Sequence, residues 1–320
     1  MVSTQGTHHG AVGSHRQASV ALSKHEAAGN DFFVLLCEGP ERRFEPAEVR
    51  RICDRDGGAR AGAGAEAGAD GLIVGSRAPG AGLSMTLYNA DGSVAEMSGN
   101  GIRCLVQAAV RSGLVEPGTV EVATAAGRRS VVMEGGDGAL ETGRASVEMG
   151  SVQLGDEVQS PLAGCRARLA KVGNPHLVVL GDVDLAAVEL EEVAAAVAGI
   201  VDSALNVEVV RPGPGKGALT LRVHERGVGE TSACGTGSCA AAAVAFFYGV
   251  VGTHVRVHNP GGVLDVQLGA AREVAAGGGP PAPATATELD AVLSGPVRHV
   301  GDVEFDLEGP RRAGGKGAAR

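Results

Sequence analysis

Residues 98–115 read SGNGIRCLVQAAVRSGLV, and residues 234–251 read CGTGSCAAAAVAFFYGVV. Each stretch begins with a small nucleophilic side chain and passes through a turn of small residues. Each then runs on as apolar sequence at helical spacing, and stops at a glycine followed by an apolar residue and Val. Gly113 and Gly249 stand where a helix that closes in a left-handed residue favours glycine. The two stretches are 136 residues apart. A second self-match lies upstream of each: Gly29-Asn30-Asp31-Phe32-Phe33-Val34-Leu35-Leu36 against Gly173-Asn174-Pro175-His176-Leu177-Val178-Val179-Leu180, offset by 144. Two matches in the same order at nearly the same offset mark two homologous halves. Each half is a Gly-Asn strand followed by a small-residue turn that opens a central helix, and the boundary falls near Gly143.

Outward from these anchors, β-rich apolar runs predict strands over 31–37, 71–75, 83–88, 145–149, 166–172, 177–181, 206–210, 218–224, 254–258 and 262–268. Helices are expected over 46–54, 101–111, 184–198 and 236–248, the first with a proline in its first turn. Strands outnumber helices and the two apolar helices resemble one another. That pattern fits an α+β fold of two pseudo-symmetric halves, each a sheet wrapped around a central helix, rather than a doubly wound parallel sheet. The expected division is a disordered tail over 1–20, an N-terminal half over 21–143, a C-terminal half over 144–290, closing strands over 291–308 that return to the N-terminal half, and a flexible tail over 309–320. A Pro/Ala/Thr loop is expected over 280–287. The low-complexity stretch 59–68 misses the spacing of a dinucleotide loop and follows no strand.

Composition narrows the function classes. A chain of 320 residues is long enough for two domains of about 150 residues each. With no Trp, 2 Tyr and 6 Phe, its core has to be built from Val, Leu, Ile and Ala. A net charge of −9 argues against a nucleic-acid partner. The longest apolar run, 239–252, falls short of the about 18 residues of a membrane span, so no membrane association is expected. No secretion signal is visible, and six cysteines form no CxxC pair. Reduced thiols in the cytoplasm are therefore expected, with no metal. Cys37, Cys53, Cys104, Cys165 and Cys239 read as core filler.

The two turns suggest chemistry. A glycine-rich turn before a helix can be no more than a cap, but here two such turns repeat and one carries Cys234. Free N–H groups and the positive end of the dipole at a helix N-terminus bind anions, and are expected to lower a thiol pKa. A carboxylate held by both helix ends would place one side chain on each face of its α-carbon. One would remove the α-proton and the other supply a proton to the opposite face, which is racemisation or epimerisation by acid–base chemistry without a cofactor.

At these residues the chain resembles the diaminopimelate epimerase family. The resemblance runs from about Lys24 to Gly309. It rests on Gly29-Asn30-Asp31-Phe32, Asn89-Ala90-Asp91-Gly92-Ser93, Met97-Ser98-Gly99-Asn100-Gly101-Ile102-Arg103, Gly173-Asn174-Pro175-His176 and Asn206-Val207. It continues through Val223-His224-Glu225-Arg226-Gly227 with Gly229-Glu230-Thr231, then Ala233-Cys234-Gly235-Thr236-Gly237, and Pro260-Gly261-Gly262. It implies two mostly antiparallel halves with the site between them, a homodimer, no cofactor, and interconversion of LL- and meso-2,6-diaminopimelate for lysine and cell-wall precursors. It implies that Cys234 is one acid/base thiol, tuned with its partner by His176 and Glu225. Asn30, Asn89, Asn174, Asn206, Glu225 and Arg226 would bind the substrate, largely its distal end. Gly99, Asn100, Gly235 and Thr236 would hold the reacting carboxylate.

One position departs from the family pattern. Where the family carries its first cysteine, this chain has Ser98. A hydroxyl titrates several units above a thiol's roughly 8.5, so Ser98 is a poor base towards carbon. It can donate a hydrogen bond or relay a proton. Three outcomes are compatible with it: an epimerase that recruits another group beside Ser98, a related isomerase or dehydratase of the same fold, or a catalytically impaired binding protein.

Overall fold

The computed structural model describes residues 19–61, 66–134, 140–198, 200–201, 205–270, 272–274 and 286–307. The first half contains strands β1 (Ser19–Ala27), β2 (Asn30–Cys37), β3 (Gly71–Ala78), β4 (Ala81–Asn89), β5 (Val94–Ala95), β6 (Gly118–Thr124) and β7 (Gly127–Met133), with helices α1 (Pro46–Cys53) and α2 (Gly99–Arg111). β8 (Thr142–Val158) leads into β9 (Arg166–Val172), β10 (Asn174–Leu180), α3 (Leu190–Ala198), β11 (Asn206–Pro212), β12 (Ala218–Glu225), β13 (Gly229–Thr231) and α4 (Gly235–Phe247). β14 (His254–Asn259), β15 (Gly262–Leu268), β16 (Arg272–Val274) and β17 (Ala286–Asp306) complete the order.

The pairings close into two rings. One runs β1-β2-β3-β4-β6-β7-β8-β17 and back to β1. The other runs β8-β9-β10-β11-β12-β14-β15-β17 and back to β8. Only β2–β3 and β4–β6 in the first ring are parallel, and only their counterparts β10–β11 and β12–β14 in the second. The long strands β8 and β17 belong to both rings. β17 pairs with β15 through Ala291–Ser294 and with β1 from Arg298 to Asp306.

A helix fills each ring. Every residue of α2 from Gly99 to Val110 is buried, and so are Cys239 to Ala245 of α4. α4 is apolar almost all round, as suits an enclosed helix, whereas α2 also buries the polar side chains of Asn100, Arg103 and Gln107. Four consecutive alanines, Ala240 to Ala243, let the strands approach α4 closely. Both helices and the shared strands lie in one apolar core built almost wholly of Val, Leu, Ile, Ala and Met. No helix among the described residues is long and apolar enough to cross a membrane.

Besides the short strands β5, β13 and β16, which were not expected, the expected elements differ from the structure in four places. β1 begins at Ser19, inside the span expected to be a tail, while residues 1–18 and 308–320 lie outside the described residues. The hairpin of β6 and β7 joins the first ring where no strand was expected. The helix expected over 184–198 is broken. Asp184 caps a short 3-10 turn, Leu185–Ala187, by accepting from the Ala186 N–H, and Val188 is extended before α3 starts. An Asp side chain that bonds its own nearby backbone competes with helix at that point. Of the loop expected over 280–287, residues 280–285 lie outside the described residues and Ala286 opens β17.

The two halves touch at glycines. Gly29, at φ +84°, closes the turn between β1 and β2, and a Cβ there would lie 2.6 Å from Cα of Gly261 and 3.1 Å from Cβ of Ser232. This approach sets Asn30 beside the segment that leads into Cys234. Gly29→Ala is expected to lower the unfolding free energy in urea by about 1–3 kcal/mol, through left-handed strain together with the clash. Gly39→Ala, at a position with nothing within 4 Å of its Cβ, should leave it nearly unchanged. Equal stability of the two variants would show that the approach is not tight.

Candidate active site

The N-termini of α2 and α4 face one another. A Cβ on Gly235 would lie 3.5 Å from Cα of Gly99, and Leu293 of β17 packs against both glycines. Ser98 caps α2, its Oγ accepting from the Gly101 N–H at 3.0 Å. Cys234 caps α4 in the same way, its Sγ accepting from the Gly237 N–H at 3.4 Å. The first N–H groups of a helix have no intrahelical partner, so those of Gly99, Asn100, Gly235 and Thr236 converge where the positive ends of both dipoles meet.

The electrostatics of Cys234 reverse the expectation. Its thiol pKa is raised well above the ordinary value, first by burial and then by the carboxylates of Glu225 and Glu208. Hydrogen bonds from Thr236, whose Oγ1 is 3.4 Å from the sulfur, and from the Gly237 N–H act the other way and are outweighed. The helix end therefore does not make a resting thiolate. Glu225 is itself shifted upward by burial, while accepting from Thr231 Oγ1 at 2.5 Å and from the Cys234 thiol. Burial thus biases both the thiol and the carboxyl beside it towards their protonated forms.

Behind them, His176 Nδ1 lies 2.7 Å from Glu208 Oε1, and both side chains are fully buried. His176 Nε2 faces Asn174 Oδ1 at 3.0 Å. Glycine at 237 makes room for this pair, because a Cβ there would sit 2.5 Å from Glu208 Oε1. The sequence does not single out Glu208. Its only signal is an acidic residue inside the apolar strand NVEVV, which register places beside Val178.

On the N-terminal side, Asn100 Nδ2 donates to Asn30 Oδ1 at 2.6 Å and Asn30 Nδ2 to Asp70 Oδ2 at 3.1 Å. Arg55 holds Asp31 with two hydrogen bonds and reaches Asp70 Oδ1 at 2.6 Å, while buried Lys24 meets Asp31 at 2.7 Å. Burial opposes ionisation of Asp31, but Arg55 and Lys24 hold its carboxyl below the usual range. Asn206 accepts from the Arg226 N–H at 2.9 Å and so braces that turn. Asn89 lies in an exposed turn with its Nδ2 donating to Ser93 Oγ. The structure thus brings together Ser98, Gly99, Asn100, Gly235, Thr236, Cys234, Glu225, His176, Asn174 and Asn30. No hydrogen bond among the described residues ties Asn89 or the Arg226 side chain to that group. Arg103, Asp70, Arg55 and Lys24 support it from positions that spacing alone does not mark. The remaining cysteines are unpaired, and burial pushes the Cys53 and Cys239 thiols up to about 12.

The two-ring architecture recurs in solved structures. A hydroxyproline epimerase from Agrobacterium vitis aligns with a TM-score of 0.64 at 19% identity, covering 92% of this chain and 94% of its own. A PhzF-family phenazine biosynthesis protein from Bacillus anthracis aligns with a TM-score of 0.64 at 13% identity, covering 90% and 99%. The fold is therefore the one shared by these epimerase and PhzF-type proteins. Sequence carries the assignment further. Residues 23–154 and 168–282 match the family model described as diaminopimelate epimerase. The diaminopimelate epimerase of Desulforudis audaxviator is 37% identical over 267 residues, covering 77% of this chain and 90% of the relative. That of Corynebacterium aurimucosum is 38% identical over 310 residues, covering 89% and 99%. The chain belongs to the diaminopimelate epimerase family, and is an isomerase of the epimerase class.

The electrostatics can be read by alkylation. Reaction of Cys234 with iodoacetamide, followed by mass spectrometry, should be slow at pH 7 and rise only in alkaline solution. Glu225→Gln removes a negative neighbour, so the thiol pKa should fall and the rate at fixed pH should rise about tenfold for each unit. An unchanged or slower rate would show that Glu225 does not hold the thiol neutral.

Proposed function

We propose that the protein interconverts LL- and meso-2,6-diaminopimelate in lysine and cell-wall precursor biosynthesis, without a cofactor. The observation that carries this reading is the pair of capped helix N-termini set face to face, with Cys234 on one and Ser98 on the other. The N–H groups of Gly99, Asn100, Gly235 and Thr236 would hold the reacting carboxylate, and would stabilise the negative charge it gains when the α-proton leaves. Asn30, Asn89, Asn174, Asn206, Glu225 and Arg226 are assigned to the substrate, mostly to its distal amino-acid end. Asn100 and Cys234 are only 2% and 5% exposed, so an entering substrate has to displace contacts between the helix ends.

Cys234 rests as a neutral thiol. To act as base it passes its proton to Glu225, and the thiolate then takes the α-proton. In return it donates from sulfur to the carbanion. His176 and Glu208 act behind it as positioning groups. On the opposite face Ser98 donates its hydroxyl proton to the carbanion and is left as an alkoxide, several pKa units uphill unless a relay refills it. Return of the proton from Cys234 to the same face is then the easier step. We further take the protein to be a cytoplasmic homodimer. Six unpaired thiols fit a reducing compartment, and the family resemblance supports the dimer.

Supplying LL- and meso-diaminopimelate in heavy water, and following stereochemistry together with deuterium uptake, tests the reading. One isomer should take up deuterium with retention faster than it inverts, and the other should show little exchange ahead of inversion. Cys234→Ala should abolish exchange with the fold intact by circular dichroism, and Ser98→Cys should raise inversion at least about tenfold. Absence of both exchange and inversion on either isomer would overturn the function. Matched exchange and inversion that Ser98→Cys leaves unaltered would show that another group already serves as second base.

A further inference from the structure

Arg103 is a buried cation with no buried anion. Its side chain is fully enclosed, Nη1 donates to the Gly99 carbonyl at 3.1 Å, and Nη2 donates to Asn100 Oδ1 at 2.6 Å. No carboxylate pairs with the guanidinium among the described residues, and its Nε is buried without a partner. Burial lowers its pKa to about 10, which still leaves it charged at neutral pH. Room for it comes from Gly295 of β17, where a Cβ would stand 3.0 Å from Nη2. A buried charge without a counter-ion costs stability, so packing does not account for an arginine here.

What the guanidinium does is set a direction. Which end of an asparagine amide is oxygen is ordinarily an assignment, but in this chain the two ends decide it. A guanidinium has only donors, so the Asn100 atom that faces Arg103 has to be its oxygen. The carboxylate of Asp70, held by Arg55, only accepts, so the Asn30 atom that faces it has to be its nitrogen. The middle link is then necessarily Asn100 N–H to Asn30 oxygen, as observed at 2.6 Å. Reversing either amide would set donor against donor or acceptor against acceptor. Each oxygen already accepts one hydrogen bond inside the chain, so the group of each amide that has no partner is its second N–H. The other half has no such lock. Cys239 stands 136 residues after Arg103, and Thr236 stands 136 after Asn100.

We propose that Arg103 is a positioning residue which, with Asp70 at the far end, fixes the polarity of Asn100 and Asn30, so that their unpartnered N–H groups, rather than their engaged oxygens, face an incoming ligand and favour a carboxylate over a carboxamide on the substrate. The proposal rests on the dicarboxylate reading given above.

The test is calorimetric binding of diaminopimelate and of its two monoamides to the natural protein and to Arg103→Met, Arg103→Lys and Asp70→Asn. The natural protein should prefer the dicarboxylate to at least one monoamide by about tenfold or more. Arg103→Met frees Asn100 and Asp70→Asn frees Asn30, so in both the preference should shrink several-fold, while Arg103→Lys should keep part of it. A purely structural role would weaken all three ligands alike and leave the ratio unchanged, which would overturn the proposal. If Arg103→Met does not fold, Asp70→Asn decides the same question from the other end. A neutron diffraction structure separates this failure from failure of the functional reading, because it shows the amide deuterons whatever the substrate is. Deuterons of Asn30 facing Asp70, and of Asn100 facing Asn30, support the proposal, and either amide reversed refutes it.

Discussion

Two helices pointing their positive ends at each other across a few ångströms make an electrostatically unfavourable arrangement, and the rest of the molecule exists around it. The like ends of the dipoles repel, and only a surrounding cage holds them in place. The cage is the pair of strand rings, fastened by β8 and β17 running through both. Glycine at 99 and 235 lets β17 close over the two helix ends, since a Cβ at either position would crowd Leu293, at 3.0 and 2.8 Å. A carboxylate between those ends would relieve the repulsion, because helix N-termini favour negative charge.

The thiol belongs to the same economy of burial. Enclosure makes a helix N-terminus a strong anion site, because water no longer screens it, but it also penalises any charge placed on sulfur. Glu208 and Glu225 add to that penalty. Burial and these neighbours together favour the protonated thiol at Cys234. This bias suits a reaction in which a proton has to be both taken and returned, because a permanently ionised thiol could only take it.

Much of this was legible in the sequence, for a physical reason. An internal repeat needs no knowledge of packing, so the Gly-Asn strands, the two capped helices and their pairing across the halves could be read from spacing alone. Ser98, Cys234 and the Gly99/Gly235 pair follow from that repeat. β1, β6 and β7 escaped because their apolar residues are few and interspersed with Ser, Thr, Glu, Lys and Arg, and they gain their place from the rings rather than from their own residues. The broken helix near Asp184 was hidden by an apolar period that one side-chain hydrogen bond overrides. The sign of the Cys234 shift was out of reach, since a helix dipole is visible in a sequence whereas burial and a carboxylate brought in from β11 are not.

The two halves are alike in backbone and unlike in chemistry. On the Cys234 side a His176–Glu208 pair underlies the helix turn, whereas the matching positions in β2 and β3 are Phe32 and Ile73, which also pair strand to strand with their neighbours. On the Ser98 side the charge comes instead from Arg103, inside the helix itself. A histidine–carboxylate pair lies under one cap and a buried guanidinium under the other. An unpaired cation cannot take a proton from Ser98, but it favours any negative charge that forms nearby. One repeated strand–turn–helix unit thus sets two like helix N-termini face to face, and what differs is beneath them: His176 with Glu208 under one and Arg103 within the other.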